Sequence, residues 1–433
     1  MPQPDDPAGV VSFAEARSIV SAHAAQAHPS RPAEAVPLLS SLGRVLASPI
    51  LADRNQPPFD RSTRDGFAAR ASDWQGGAWL RIAGAVRAGQ SADDLALQPG
   101  EAIEIMTGAP VPTGADCIAM VEHVEVAAGR ARMAGRALRP GDNIVPEASE
   151  AGKGDLLLPA GTVLGAAEIA AAAACGYARV NVFPRPQVAI LATGDELVEV
   201  ADAPLRHQIR NSNSYAMAAQ VMADGGDPRR LPIVSDDLDA LLDAIQSSRG
   251  QGSDRGSGEG CDLLLLSGGV SMGKYDLVEE ALSSLGAEFF FTGVRIQPGK
   301  PVVFGRLPAA DGRPAQYFFG LPGNPISTQL TFTLFARTLL RALCGATDLS
   351  TPFLQATLAA PAQAKSGLTR FLPASLMHPP AQRKHEPAAP LVSPVAWQGS
   401  GDQAAQARAN CYLVVPADAP DLVAGSTVTV LLR

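Results

Sequence analysis

A chain of 433 residues, 46% hydrophobic, 18% charged and 5% aromatic, with a formal charge of −8, suits about two to four globular domains. It lacks the basic surplus that a nucleic-acid or anionic-membrane binder needs. The five cysteines, at 117, 175, 261, 344 and 411, include no CxxC pair, which argues against a disulfide framework or zinc site, while the start Met1-Pro-Gln-Pro-Asp-Asp has no signal-peptide character and no apolar run suits a membrane span; the expectation is a cytoplasmic protein without nucleic-acid or membrane partners.

In chain order, Ser12-Phe-Ala-Glu15 pairs an N-cap serine with a glutamate three residues on, and predicts a helix running to about His28. A short helix is expected over 40–47. From 51 to 143 the Pro- and Gly-punctuated sequence, with alternating runs such as Trp79-Leu-Arg-Ile and Cys117-Ile-Ala-Met-Val, predicts a β-rich module. Two loops there stand out: Pro57-Pro-Phe-Asp-Arg-Ser-Thr-Arg-Asp65-Gly-Phe-Ala and Thr107-Gly-Ala-Pro-Val-Pro-Thr-Gly-Ala-Asp116. Their residues are also those of ordinary turns. Residues 144–183 return to small side chains and a helix over 166–175, so 10–50 and 144–183 are expected to form one discontinuous domain interrupted by the β module.

From 184 to 346 strands alternate with Gly-rich turns and helices. Gln187–Ala192 leads to Thr193-Gly-Asp-Glu196, and residues 211–223 read as helix. Arg229–Val234 leads to Ser235-Asp-Asp237, a good helix cap, and a Gly/Ser-rich loop covers 247–260. Cys261-Asp-Leu-Leu-Leu-Leu-Ser267-Gly-Gly-Val-Ser271-Met-Gly-Lys274-Tyr-Asp276 passes from a fully apolar strand into paired glycines and a helix expected to reach Leu285. Val302-Val-Phe304 is a further strand, and Tyr317-Phe-Phe319 precedes Gly320-Leu-Pro-Gly-Asn-Pro-Ile-Ser327 and a helix over 328–343. This alternation predicts a doubly wound parallel sheet, whose ligands bind beyond the carboxyl ends of its strands. Loops starting at Thr193, Ser235, Ser267 and Gly320 all fall at that edge. Residues 347–433 read as a small β domain, a barrel or a sandwich.

Gly268 and Gly269 allow close backbone approach to an anion, with the hydroxyls of Ser267 and Ser271 beside it; the same stretch also serves as a plain strand-to-helix turn, with Asp276 at the helix start. The six histidines have no ligand spacing, and G-x-S-x-G, G-x-G-x-x-G and Walker motifs are absent. What remains is oxygen chemistry: Asp195, Glu196, Asp236, Asp237 and Asp276 with Thr193, Ser267 and Ser271. That set suits Mg²⁺, a hard cation that takes carboxylates and phosphate oxygens.

Assembled in order, these motifs resemble the molybdopterin molybdenumtransferase family, called MoeA in bacteria and represented by the gephyrin E domain in animals. The resemblance rests on Phe59-Asp-Arg-Ser-Thr-Arg-Asp65-Gly-Phe-Ala, Met106-Thr107 through Asp116, Thr193-Gly-Asp-Glu196-Leu, Asn213, Ser267 through Asp276, Pro298-Gly-Lys300-Pro and Leu321-Pro-Gly-Asn-Pro-Ile-Ser327. It implies a multidomain homodimer that inserts molybdenum from molybdate into adenylylated molybdopterin, with Mg²⁺ and release of AMP. It implies a substrate site at Thr193, Gly194, Asp195, Asn213, Ser267, Gly268, Gly269, Ser271, Lys274, Lys300, Pro322, Gly323, Asn324, Pro325 and Ser327. By the same resemblance Glu196, Asp237 and Asp276 organise metal and phosphate, and Asp65 and Thr107 act with them, the β module of one subunit bordering the cleft of the other.

The chain departs from the family at Gln297, where a lysine is usual, and lacks arginines that usually flank Phe371. Arg64 and Phe67 replace a usual Met and Tyr. A molybdopterin adenylyltransferase and a non-catalytic cofactor-binding scaffold are the alternatives, the first disfavoured by the flanking modules and the second motivated by the lost cations.

Overall fold

A computed structural model describes residues 9–135, 137–250, 260–269, 277–309, 315–377 and 389–433. Most of the Gly/Ser-rich stretch, with Ser271, Lys274 and Asp276, lies outside them.

Helix α1 (Phe13–Ala24) starts where the sequence places it, the Ser12 hydroxyl accepting from the Glu15 amide at 3.2 Å. It ends four residues before His28. Its buried face of Ala16, Val20 and Ala24 packs into the core that also holds Val188, Ile190 and Leu339, and Val10–Val11 pairs in parallel with Gly293–Val294. Residues 10–24 therefore share a core with the α/β domain, and the segment 34–51 adds Val45 to it. The segment 34–51 has its own small core, in which Leu46 and Ile50 meet Leu164, Ala172, Val180 and Val182. Glu34–Pro37 pairs antiparallel with Arg179–Val182, and Ile50–Leu51 with Leu156–Leu158. The helix expected over 40–47 is instead one 3-10 turn, Leu38–Ser41, because Val45 and Leu46 form antiparallel bridges to Val163 and Val182. Helix α2 (Ala166–Ala174) follows, with the Glu168 carboxylate accepting from the Gly165 amide at 2.9 Å.

The β module is a six-stranded mixed sheet in the order Cys117–Met120, Gly66–Ala69, Glu101–Ile105, Trp79–Val86, Arg130–Met133, Val124–Ala127. Its core is built from Phe67, Ile103, Ile105, Ile118 and Trp74.

The α/β domain holds the second six-stranded sheet, in the order Asp227–Arg230, Gln187–Ala192, Leu263–Ser267, Gln316–Leu321, Val303–Leu307, Glu288–Phe291. The first four strands run parallel and the last two antiparallel to their neighbours. The doubly wound core is thus joined to an antiparallel edge, since the connection 308–315 between Val303–Leu307 and Gln316–Leu321 is shorter than the crossover of a dozen or more residues that parallel pairing requires. Leu263–Ser267 is buried along its whole length, as a strand covered on both faces must be. Helices α4 (Leu238–Ser248) and α5 (Leu277–Ser284) cover one face. On the other lie α3 (Ser212–Ala223) and a continuous helical run formed by α6 (Pro325–Thr331), a π-helical turn (Phe332–Ala336) and α7 (Arg337–Leu343). This run begins at Pro325, three residues before the expected start, because proline at the first helical position has no amide to leave unpaired.

The last domain is a closed five-stranded barrel: Thr369–Met377, Leu391–Pro394, Phe353–Leu358, Thr427–Leu432 and Cys411–Val415, the last pairing back onto the first. Ile296–Gln297 adds to it in parallel at Thr369 and Arg370, tying the barrel to the α/β domain. Helix α8 (Gln403–Arg408) precedes its fourth strand in sequence. Among the described residues, no helix is long and apolar enough to cross a membrane.

Candidate functional site: a cleft at the switch point of the parallel sheet

Strand order decides where a ligand can sit. From Gln187–Ala192 the chain crosses to Asp227–Arg230 on one side, then to Leu263–Ser267 on the other. The loops leaving 187–192 and 263–267 therefore diverge, and a crevice opens between their carboxyl ends. A cleft of about 760 Å³ lies there, lined by Thr193, Gly194 and Glu196, by Asp236, by Ser267 to Gly269, and by Pro322 to Pro325.

These four loops are fastened to one another. The Thr193 amide donates to the Ser267 carbonyl at 3.1 Å. The Thr193 hydroxyl, on a residue only 5% exposed, donates to Asp236 Oδ1 at 2.7 Å. Asn213 Nδ2 donates to Ser267 Oγ at 3.0 Å and to the Gly323 carbonyl at 2.7 Å, bridging the third and fourth loops. Gly268 has φ +96°, and a Cβ built on it would stand 2.2 Å from the Thr193 carbonyl oxygen. Only glycine fits that approach.

The cleft is polar in a directed way. Asn211 caps α3 by accepting from the Ser214 amide at 3.2 Å, and Ser212 and Asn213 in the first turn face the cleft. The unpaired amides of a helix start favour an anion there. Arg210 adds a cation to the lining, while Glu196 and Asp236 add two carboxylates. The five cysteines are buried thiols; burial pushes Cys117 and Cys344 up to about 12, so neither supplies a thiolate nucleophile near neutral pH.

Several expected positions fall elsewhere. Asp195 is exposed and accepts from the Asp236 amide at 3.2 Å, standing behind the lining. Ser327 is 3% exposed inside α6 and lines no part of the cleft. Lys300 is half-buried, its carbonyl accepting from the Val294 and Val302 amides; its neighbour Pro301 lines the cleft. Asp237 caps the next helix: its Oδ1 accepts from the Ala240 amide at 2.9 Å at the start of α4, while Asp236 stands on the cleft wall. Asp237→Ala is expected to cost about 1 kcal/mol of stability. Asp237→Asn, which caps equally well, should leave both thermal unfolding and turnover near those of the unaltered chain. Turnover lost in the asparagine variant would return Asp237 to the metal site.

Asp65 and Thr107 meet each other but do not line this cleft. The Thr107 amide and hydroxyl both donate to Asp65 Oδ1, at 2.6 and 2.8 Å. The amide bond, then the hydroxyl bond, hold this exposed carboxyl below its ordinary pKa. A depressed carboxylate adds stability that is present above its unfolded pKa and lost as pH falls through the folded one. Thr107→Val removes the weaker bond, so an NMR titration should find the Asp65 pKa raised while remaining below its unfolded value; no rise would mean that the hydroxyl bond contributes nothing.

Sequence reasoning missed Ile209, Arg210, Ser212, Pro301, Gly401 and Gln403, all of which line the cleft. The first three flank Asn213 and follow from it once α3 is placed. Gly401 and Gln403 come from the barrel domain, and no local signal in their sequence points to a cleft.

Residues 11–176 match the MoeA N-terminal region (domain I and II), residues 189–342 a probable molybdopterin binding domain, and residues 355–432 the MoeA C-terminal region (domain IV). A molybdopterin molybdenumtransferase of Bacillus subtilis is 33% identical over 407 residues, 92% of this chain and 89% of that protein. The chain belongs to the molybdopterin molybdenumtransferase family. A relative of the same name from a Nostoc species is 37% identical over 318 residues, 72% of this chain and 70% of that one. A crystal structure of a molybdopterin biosynthesis MoeA protein from Pyrococcus horikoshii superposes with a TM-score of 0.75 at 26% identity, covering 98% of this chain and 100% of that one. The cleft lies within the segment matched as molybdopterin-binding, apart from its two residues from the barrel domain.

Proposed function

We propose that the cleft binds adenylylated molybdopterin and that the chain inserts molybdenum from molybdate into it, with release of AMP. Family membership makes the protein a transferase of molybdenum cofactor biosynthesis. The observation that carries the reading of the site is the meeting of Thr193, Ser267, Gly268, Asn213 and Gly323 at the switch point, where a helix start and Arg210 face the same space.

In this reading the first turn of α3 and Arg210 bind phosphate oxygens, and Asn213 fixes the loops around them. Among the described residues no three His, Cys, Asp or Glu side chains gather into a metal site, but Mg²⁺ characteristically takes one or two carboxylates plus phosphate oxygens and water. Glu196 and Asp236, with Asp276, supply that donor set. When bound, Mg²⁺ offsets negative charge developing at the phosphoanhydride as water cleaves it. The substrate set is completed by Ser271, Lys274 and Lys300.

We assign a cytoplasmic homodimer by the family resemblance, with Asp65 and Thr107, which lie off the cleft of their own subunit, acting at the cleft of the partner. Purified protein with adenylylated molybdopterin, molybdate and Mg²⁺ should release AMP only when all three are present, and Asp276→Ala should reduce that release. Tight binding without AMP would favour the scaffold, and adenylylation of molybdopterin from ATP the adenylyltransferase. Mixing inactive Asp65→Asn and Glu196→Gln chains should restore part of the activity through heterodimers; no recovery after verified exchange of subunits would confine Asp65 to its own subunit.

A further inference from the structure

The barrel domain reaches the cleft through one short segment. The Ser400 carbonyl accepts from the Ile326 amide in the first turn of α6 at 3.0 Å. Next to it, the Asp402 carboxylate accepts from the Ala405 and Gln398 amides at 2.9 and 3.0 Å, which holds the segment in shape. Gln406, 2% exposed, anchors α8 behind it by donating to Gln329 Oε1 at 3.2 Å. The result is that Gly401 and Gln403 form part of the cleft wall, and Gln403 Nε2 donates to Ser212 Oγ at the start of α3.

The direction of that last bond has a chemical consequence. A serine hydroxyl carries one proton and two lone pairs. With a lone pair of Ser212 occupied by the Gln403 amide, its proton is left to donate elsewhere, and Ser212 lines the cleft beside the unpaired amides of α3. We propose that Gln403 is a positioning residue of the barrel domain, which orients the Ser212 hydroxyl as a donor to a phosphate oxygen of the nucleotide. This rests on the reading of the cleft as a nucleotide site, and it gives the barrel domain a direct part in substrate binding.

Gln403 is exposed, so its variants should fold. The test is AMP binding in the presence of Mg²⁺, measured by calorimetry on the full chain, with thermal unfolding as control. Gln403→Glu keeps the contact to Ser212 but reverses it: the hydroxyl now donates to the carboxylate and is withdrawn from the ligand. Kd for AMP should rise about tenfold in this variant, with the unfolding temperature unchanged. Gln403→Ala should weaken binding in the unaltered background and have no further effect in Ser212→Ala, as two residues acting through one bond are non-additive. AMP affinity within about twofold of the unaltered chain for Gln403→Glu, or equal effects of Gln403→Ala in both backgrounds, overturns the proposal. Failure of the unaltered chain to bind AMP overturns the nucleotide reading, and this one with it.

Discussion

Gly268→Ala is expected to lose both stability and ligand binding, with the larger effect of any single substitution in the cleft. The added Cβ meets the Thr193 carbonyl oxygen at 2.2 Å and the residue is held at φ +96°. The obstacle is backbone at the end of a buried strand, paired with 263–267 through Ala192 and Ser267, so it cannot swing aside as a side chain would. Left-handed strain and displacement of the Thr193 loop together should cost roughly 2–4 kcal/mol. Moving Thr193 also pulls its hydroxyl from Asp236 and shifts Ser267 against Asn213, so AMP binding should fall more than tenfold. Denaturant unfolding and calorimetry check the two separately. A folded variant with unchanged affinity would mean that the contact between these loops plays no part in forming the site.

Glu196→Gln should produce the opposite pattern: turnover falling by about 100-fold with stability within about 0.5 kcal/mol of the unaltered chain. Glu196 is exposed on the cleft wall, and among the described residues its carboxylate makes no capping bond. Removing its charge therefore removes little from the fold, yet takes away one of two described carboxylates that can hold a cation against phosphate. Asp236→Asn should behave alike in turnover, because asparagine can still accept from Thr193 while lacking the charge. Initial rates of AMP release across a Mg²⁺ titration make the test. A loss rescued by raised Mg²⁺ supports a ligand role, and full activity in both variants would sink the assignment of these carboxylates to the metal.

The two substitutions separate two kinds of information in one loop set. Glycine at 268 is required by the geometry of the contact itself, and would be required by a turn of no function. Glu196 is required by no turn, since turns do not need carboxylates at that place. On the proposed reading of the cleft, the Thr193 loop contributes charge and the Ser267 loop backbone geometry.

Much of this was legible in the residues. Leu263 to Leu266, an unbroken apolar run ended by paired glycines, suits a covered strand, and Gln187–Ala192 was bounded by the same logic. Ser12 with Glu15 set the start of α1 because capping is local. Asp237 and Asp236 show where local reading stops. Both are exposed, adjacent and acidic; a cap needs an acceptor three residues before a free amide, which selects Asp237, but which acid then faces a cleft depends on the neighbouring strand's loop.

The strand-helix alternation, the glycines at the loop ends, the stock of oxygen ligands and, through motif order, the family can all be read along the chain. Those are properties of contiguous residues, decided by period, cap and turn chemistry. Only the tertiary structure decided that 187–192 and 263–267 are neighbours with their loops diverging, that α1 packs with a domain far along the chain, that Asp65 and Thr107 stand apart from the cleft, and that Gln403 of the barrel closes one wall of it. Each of these depends on pairing between segments separated by tens to hundreds of residues, where burial of shared apolar surface, and no local preference, selects the partner.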